Sequence, residues 1–172
     1  MQARRRCGPG VFRNPAFPVS ATRITLPNEV MLGSVKELLA EGNSVVIMTK
    51  GLSMLPFIEG KRDSVLLRRL SPVCVGDIVL AEIGPGHYVL HRVISVEGEN
   101  VTLRGDGNLR GEEHCSLQAV AGTVTAIQRE GRSDVDPRSA RQMRRWRRWA
   151  SFPYAVRRYY LAIYRRIKRI TI

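Results

Sequence analysis

Apolar and polar positions follow two different periods along this chain, and the changeovers divide it into segments. Over residues 28–42, Val30, Met31, Val35, Leu38 and Leu39 recur at helical spacing, with Asn28 placed to cap the first turn and Gly42 placed to stop the last. This predicts one amphipathic helix. The period then shortens. Runs rich in Val, Ile and Leu follow: "SVVIMTK" (44–50), "DSVLLRR" (63–69), "DIVLAEI" (77–83), "HYVLHRVISVE" (87–97), "NVTLRG" (100–105) and "AVAGTVTAIQR" (119–129). Gly60, the Pro72 region, Gly84-Pro85-Gly86 and Glu97-Gly98-Glu99 separate them, the signature of a small, mainly β, mostly antiparallel domain. From Pro137 the pattern is helical again, and no internal repeat is evident. The chain thus reads as an arm over 1–24, punctuated by Pro and Gly and disordered, a β-domain over 25–136 and a helical tail over 137–172.

Charge sharpens this division. With 172 residues the chain suits one domain with extensions, and its net charge of +13 suggests nucleic acid at first sight. The distribution argues otherwise. Residues 138–172 hold twelve Lys and Arg and no acid, and residues 1–24 hold five Arg and no acid. Residues 25–137 carry eleven bases against fifteen acids, so the domain itself is mildly acidic. No segment approaches the ~20 apolar residues of a membrane span, and the basic N-terminus lacks the apolar stretch of a signal peptide. Cys7, Cys74 and Cys115 are odd in number and widely spaced, fitting neither a zinc pattern nor a disulfide framework. Free thiols in a reducing compartment are therefore expected, with no metal and no cofactor. His114 and Cys115, adjacent on an extended segment, should point to opposite sides and form no joint site.

The stretch "KGLSMLPFIEG" (50–60) sets a serine between apolar residues, follows it with Met-Leu-Pro and fences it with glycines. Pro56 discourages a helix there, so Ser53 should sit where a strand end runs into a tight turn. A serine so placed is a turn residue or a nucleophile, and a nucleophile needs a base oriented by a carboxylate. In "YVLHRVI" (88–94), alternation puts Val89, His91 and Val93 on one side and Leu90, Arg92 and Ile94 on the other. His91 then has apolar neighbours, a setting that suits a neutral imidazole. Asp106, in a Gly-Asp-Gly turn, could supply the carboxylate.

Ser-Met-x-Pro, Gly-Asp-Ile-Val, a strand carrying His-Arg-Val and Gly-Asp-x-Asn occur here in one order across residues 44–128. This arrangement resembles the signal peptidase family of serine proteases and its relatives, the self-cleaving LexA-type repressors. His91 stands where bacterial signal peptidase I has lysine, as in the archaeal and endoplasmic-reticulum type. The resemblance implies a signal peptidase-like β-fold, a serine endopeptidase acting on a leader or signal-like peptide, Ser53 as nucleophile and His91 as general base. Asp106 matches the Gly-Asp motif as third member. In the endoplasmic-reticulum type the acid lies a few residues beyond that turn, which falls here on Glu112 or Glu113, so Glu112 is the alternative. Gly51, Met54 and Pro56 shape the turn and its oxyanion site. Gly51 stands where signal peptidase I has a serine hydroxyl, which leaves backbone N–H groups, that of Ser53 first, to hold the oxyanion.

Two further readings share this fold. One is a self-cleaving LexA-type regulator, against which residues 1–50 hold one helix, too little for a helix-turn-helix domain. The other is a catalytically silent module gripping extended peptides at a sheet edge.

In the tail, Val156, Tyr159, Tyr160, Ile163, Tyr164, Ile167 and Ile170 fall on one helical stripe among Arg157, Arg158, Arg165, Arg166, Lys168 and Arg169. Such a helix suits the headgroup region of an anionic membrane, and Trp146 and Trp149 favour an interface. The other readings of the tail are a basic helix packed on the domain and an RNA-binding segment. The partners expected are therefore an extended peptide or preprotein and, through residues 138–172, an anionic membrane surface rather than nucleic acid. The location expected is the cytoplasm, peripherally at the membrane.

Overall fold

A computed structural model describes residues 22–23 and 28–170, with side chains described over 32–167. Its elements are β1 (Thr22–Arg23), α1 (Asn28–Ala40), β2 (Val45–Met48), β3 (Asp63–Arg68), β4 (Ile78–Gly84), β5 (His87–Glu97), β6 (Asn100–Arg104), β7 (Glu113–Ser116), a 3-10 turn (Leu117–Ala119), β8 (Val120–Arg129), α2 (Ala140–Ser151) and α3 (Tyr154–Ile170). The strands form one sheet in the order β1-β2-β3-β8-β4-β5-β6-β7, antiparallel at every pairing except the two-residue parallel contact of β1 with β2. A mainly β antiparallel fold is therefore observed, with each of the six anticipated strands present. The polar segment that became β7 was not anticipated. Of the arm expected over residues 1–24, all but Thr22–Arg23 lies outside the described residues, and Cys7 with it.

α1 forms as its pattern predicts. Val35 and Leu39 are fully buried and pack with Val45, Ile47, Val65, Leu67 and Val124 on one face of the sheet. Leu39 lies against Gly122 of β8 so closely that a methyl there would come 2.8 Å from its Cδ1. The helix ends in a Schellman motif: the Asn43 N–H donates to Leu38 O (3.0 Å) and the Gly42 N–H to Leu39 O (3.2 Å), with Gly42 at φ +88°. A second cluster, Val79, Ala81, Val93, Val96, Val101 and Leu103, lies between β4, β5 and β6.

Between β2 and β3 the chain makes a long excursion, residues 49–62, whose two ends are tied at a neck. There the Thr49 N–H and hydroxyl donate to Asp63 O (3.0 and 2.6 Å), and the Lys61 N–H donates to Thr49 O (2.8 Å). Beneath the neck the fully buried Asp63 carboxylate accepts from Arg62 (2.7 and 2.9 Å), Arg129 (3.1 and 3.2 Å) and the Glu59 N–H (2.9 Å).

The tail is not an appendage. α2 starts at Ser139, whose hydroxyl accepts from the Gln142 N–H, and Arg138 just before it pairs with Asp77 at 2.9 Å. Met143 and Trp146 fill the space where Gly76, at φ +98°, would carry a side chain. Trp149 and Leu161 of α3 form a third buried cluster with Leu55, flanked by Phe57, Leu109 and Tyr164. Tyr164 also donates to Glu59 (2.8 Å). Of the two tryptophans expected at an interface, Trp149 is buried against the domain beside Leu55, and Trp146 is half-buried against Arg92. Cys74 departs from expectation as well: it is disulfide-bonded, while Cys115 is free.

Asp63 generates a prediction. Burial alone would push its carboxyl pKa up, but hydrogen bonds from Arg62, the Glu59 N–H and Arg129 outweigh this and hold it below the ordinary value. Its contribution to stability is therefore present above the unfolded pKa of ~3.9 and lost as pH falls through the folded value. Asp63→Asn should lower unfolding free energy by ~3 kcal/mol at neutral pH in urea titrations, and the gap from wild type should shrink below about pH 4.

Candidate functional site

Ser53 lies on the excursion just after β2, half-buried in a chain of turns. Gly51, exposed and at φ +78°, turns the chain toward the serine, and its carbonyl accepts from the Gly60 N–H (3.2 Å). A methyl on Gly60 would collide with that carbonyl, which is why both fence positions are glycine. Past the serine, the Phe57 and Ile58 N–H groups both bond Met54 O at 3.0 Å, and Met54 is buried in the α1-side core. The peptide bond between Leu55 and Pro56 is cis, and Pro56 faces the tail side of the domain beside Phe57 and Arg92. Among the described residues the Ser53 N–H has no partner within the protein.

His91 occupies the middle of β5, 5% exposed. Its Nδ1 is 2.9 Å from Glu113 Oε2. A carboxylate accepts hydrogen bonds, so Nδ1 is the donor of this contact, and in the neutral ring the lone pair is then on Nε2. Nε2 lies toward Gly105: a methyl there would come 3.1 Å from it and 2.5 Å from the Ser53 carbonyl oxygen. The serine turn and the free imidazole nitrogen thus approach the same glycine. The Gly107 N–H donates to Ser53 O (2.7 Å), which seats the 105–108 turn on the serine turn.

Both Ser53 and His91 line a cleft of about 460 Å3, whose walls include Ile47, Met48, Met54 and Tyr88. Met48 and Leu52 leave about half of their surfaces in solvent beside it. Ser53 Oγ makes no hydrogen bond among the described residues, to His91 included.

The structure separates the acids that the sequence grouped. Asp106 sits in the expected Gly-Asp-Gly turn, but its carboxylate does not orient His91. It accepts from Arg92 Nε (2.9 and 3.1 Å) and Nη2 (2.7 Å), each partner 3% exposed. The cause is strand parity: Arg92 follows His91 in β5 and must point to the opposite face, and Asp106 goes with it. Glu112 does not reach His91 either; it pairs with Arg104. Glu113 lies opposite Leu103, which lies opposite Val93, two residues from His91 on the same face. It is therefore the one of the adjacent glutamates that reaches the imidazole. His114 and Cys115 diverge as expected, His114 toward Thr102 (3.3 Å) and Cys115 into the apolar cluster of Val93 and Leu103. Burial raises the Cys115 thiol pKa, which disfavours a reactive thiolate. Among the described residues no three His, Cys, Asp or Glu side chains cluster as a metal site.

On the other face, the Arg92 guanidinium stands over the rings of Phe57 and Trp146, 5.2 Å from each centroid, and donates to Gly76 O (2.8 Å). The Trp149 indole N–H donates to Asp106 O (2.9 Å). The tail thus packs on the domain, one of the alternative readings of its sequence, while the particular bond from Trp149 to Asp106 has no signal in the basic, amphipathic pattern.

A scan against protein-family models finds no match for this chain, and a search of curated proteins likewise finds none.

Proposed function

We propose that the protein is a serine endopeptidase of the signal peptidase-like kind, with Ser53 as nucleophile, His91 as general base and Glu113 as the group that orients the imidazole. The observation that carries this reading is the His91 ring itself, fixed through Nδ1 by Glu113 with Nε2 facing the glycine that also abuts Ser53.

In the proposed reaction an extended peptide or preprotein lies in the cleft. Ser53 Oγ attacks the scissile carbonyl carbon while its proton passes to His91 Nε2. The Ser53 N–H holds the developing oxyanion. The imidazolium is stabilised by Glu113 and gives its proton to the leaving amine as the C–N bond breaks. Water, deprotonated by the same nitrogen, then releases the acyl group from Ser53. The apolar residues beside the cleft, Met48 and Leu52, suit an apolar peptide such as a leader segment.

No helix among the described residues is long and apolar enough to cross a membrane. The reading includes a peripheral one: the outer face of α3 lies on an anionic bilayer. Tyr159 is 73% exposed, and Val156, Tyr160, Ile163 and Ile167 on the same stripe are each about half exposed. Arg157, Arg158, Arg165 and Arg166 flank them, with no acid in residues 138–172. Anionic headgroups complement this charge at ~1 kcal/mol per cation, and aromatic and Ile side chains suit the acyl boundary.

Two predictions follow from the site and one from the tail. Ser53→Ala and His91→Ala should each reduce peptide cleavage by about 10^4-fold or more while circular dichroism stays native; near-normal turnover in His91→Ala would remove the base assignment. Glu113→Gln should lower kcat by roughly 10^3–10^4-fold, and Asp106→Asn, compared among folded molecules, should lower it less. The reverse order would return the third position to Asp106. For the tail, full-length protein should co-sediment with vesicles containing phosphatidylglycerol, and Tyr159→Ser combined with Ile163→Asp should abolish this. Binding should weaken as the Debye length falls from ~10 Å at 0.1 M salt to ~3 Å at 1 M. Strong salt-sensitive RNA binding without vesicle binding would overturn the lipid assignment.

A further inference from the structure

We propose that Trp149 is a positioning residue for Ser53 and His91, acting through the main chain of residues 105–107; this rests on the peptidase reading above. β6 ends at Arg104 and β7 begins at Glu113, so the sheet does not hold residues 105–112. Yet this segment carries the contacts that bring the serine turn and the imidazole together. Gly107 donates to Ser53 O at 2.7 Å. Gly105 lies under His91 Nε2 and Ser53 O, and a methyl on Gly107 would come 2.8 Å from Leu52 O. The two glycines are packed flat against both partners, so a shift of the segment moves one or the other.

Asp106, between them, is gripped from two sides. Arg92 binds its carboxylate, and Trp149, 43 residues on in the chain, binds its carbonyl at 2.9 Å. Trp149 is 7% exposed and is itself seated by Leu55 and Leu161 and by the edge of Tyr160, ring centroids 5.3 Å apart. The α2–α3 pair therefore belongs to the catalytic unit. Reactive groups must be held within about 0.5 Å of productive geometry, and a segment outside the sheet depends on such supports.

The experiment compares full-length wild type with Trp149→Phe, which keeps a ring in the cluster and removes the N–H. Three readouts are taken: kcat and KM on a peptide substrate, the rate of Ser53 labelling by a fluorophosphonate, and amide hydrogen exchange at Gly107. Expected are a fall of about tenfold in kcat with KM within about twofold, the tenfold corresponding to one neutral hydrogen bond, a parallel slowing of labelling, and faster exchange at Gly107. Gln118→Ala loses only an exposed bond to Glu99 and no contact to the segment, and it should leave all three unchanged. Leu161→Ala, which loosens the seat of Trp149 and keeps its N–H, should shift all three in the same direction, and it serves as the test should Trp149→Phe not fold. Wild-type labelling and wild-type Gly107 exchange in both variants would overturn the proposal. A wild-type protein that neither cleaves nor labels would overturn the peptidase reading instead, and Gly107 exchange would still decide whether Trp149 holds the segment.

Discussion

The buried ion pair between Arg92 and Asp106 is the constraint on which the arrangement of this protein turns. Two side chains, each 3% exposed, are removed from water together, and a desolvated pair is tolerable only when the geometry is good and the remaining donors are satisfied. Both conditions hold. Arg92 makes three contacts to the carboxylate, gives a further N–H to Gly76 O and rests on Phe57 and Trp146. The pair thereby ties β5, the turn before β4, the turn after β6 and α2 to one point. The local chemistry also explains the first turn: Gly76 lacks a side chain because Met143 and Trp146 occupy its place, and Asp77 accepts the Cys74 N–H and pairs with Arg138.

His91 and Arg92 are neighbours on one strand, so the pleat sends them to opposite faces. One face receives Glu113 and the cleft, the other the ion pair and the tail. A single rigid strand thus converts the packing of the tail into the placement of the imidazole. The serine turn has a further support of its own. Its turn belongs to an excursion closed at the neck by Thr49 and Asp63 and lined below by Met54 and Ile58, so Ser53 is held by the α1-side core and His91 by the β5–β6–β7 side. The cleft opens along that seam, with walls drawn from both.

The tail presents two faces, one buried against the domain and one exposed. Trp149, Leu161 and Tyr164 face the domain, while Val156, Tyr159, Ile163 and Ile167 stay in solvent. With Arg at so many of the remaining positions, the helix covers one apolar face against the domain and leaves the other exposed. The apolar positions from Val156 to Ile167 are divided between the two faces, Tyr164 turning inward to Glu59.

The sequence by itself determined the class of fold and most of its elements, because a period of two or of 3.6 is a local property. The helix at 28–40 with its Gly42 stop and six of the strands could be placed for this reason. It also determined the neighbourhood of Ser53 and the side of β5 on which His91 stands, since both follow from turn chemistry and alternation. Only the tertiary structure decided which carboxylate meets His91. Glu112 and Glu113 are identical residues one position apart, and the choice between them depends on the register of β7 against β6, which the polar segment "GEEHCS" does not encode in any apolar pattern. Likewise only the structure assigned Asp106 to Arg92, and the two tryptophans to the back of the site, because those pairings join residues 14 and 43 positions apart. Sequence spacing carries no information about contacts at that separation; they are selected by which buried charges and donors the folded chain must satisfy.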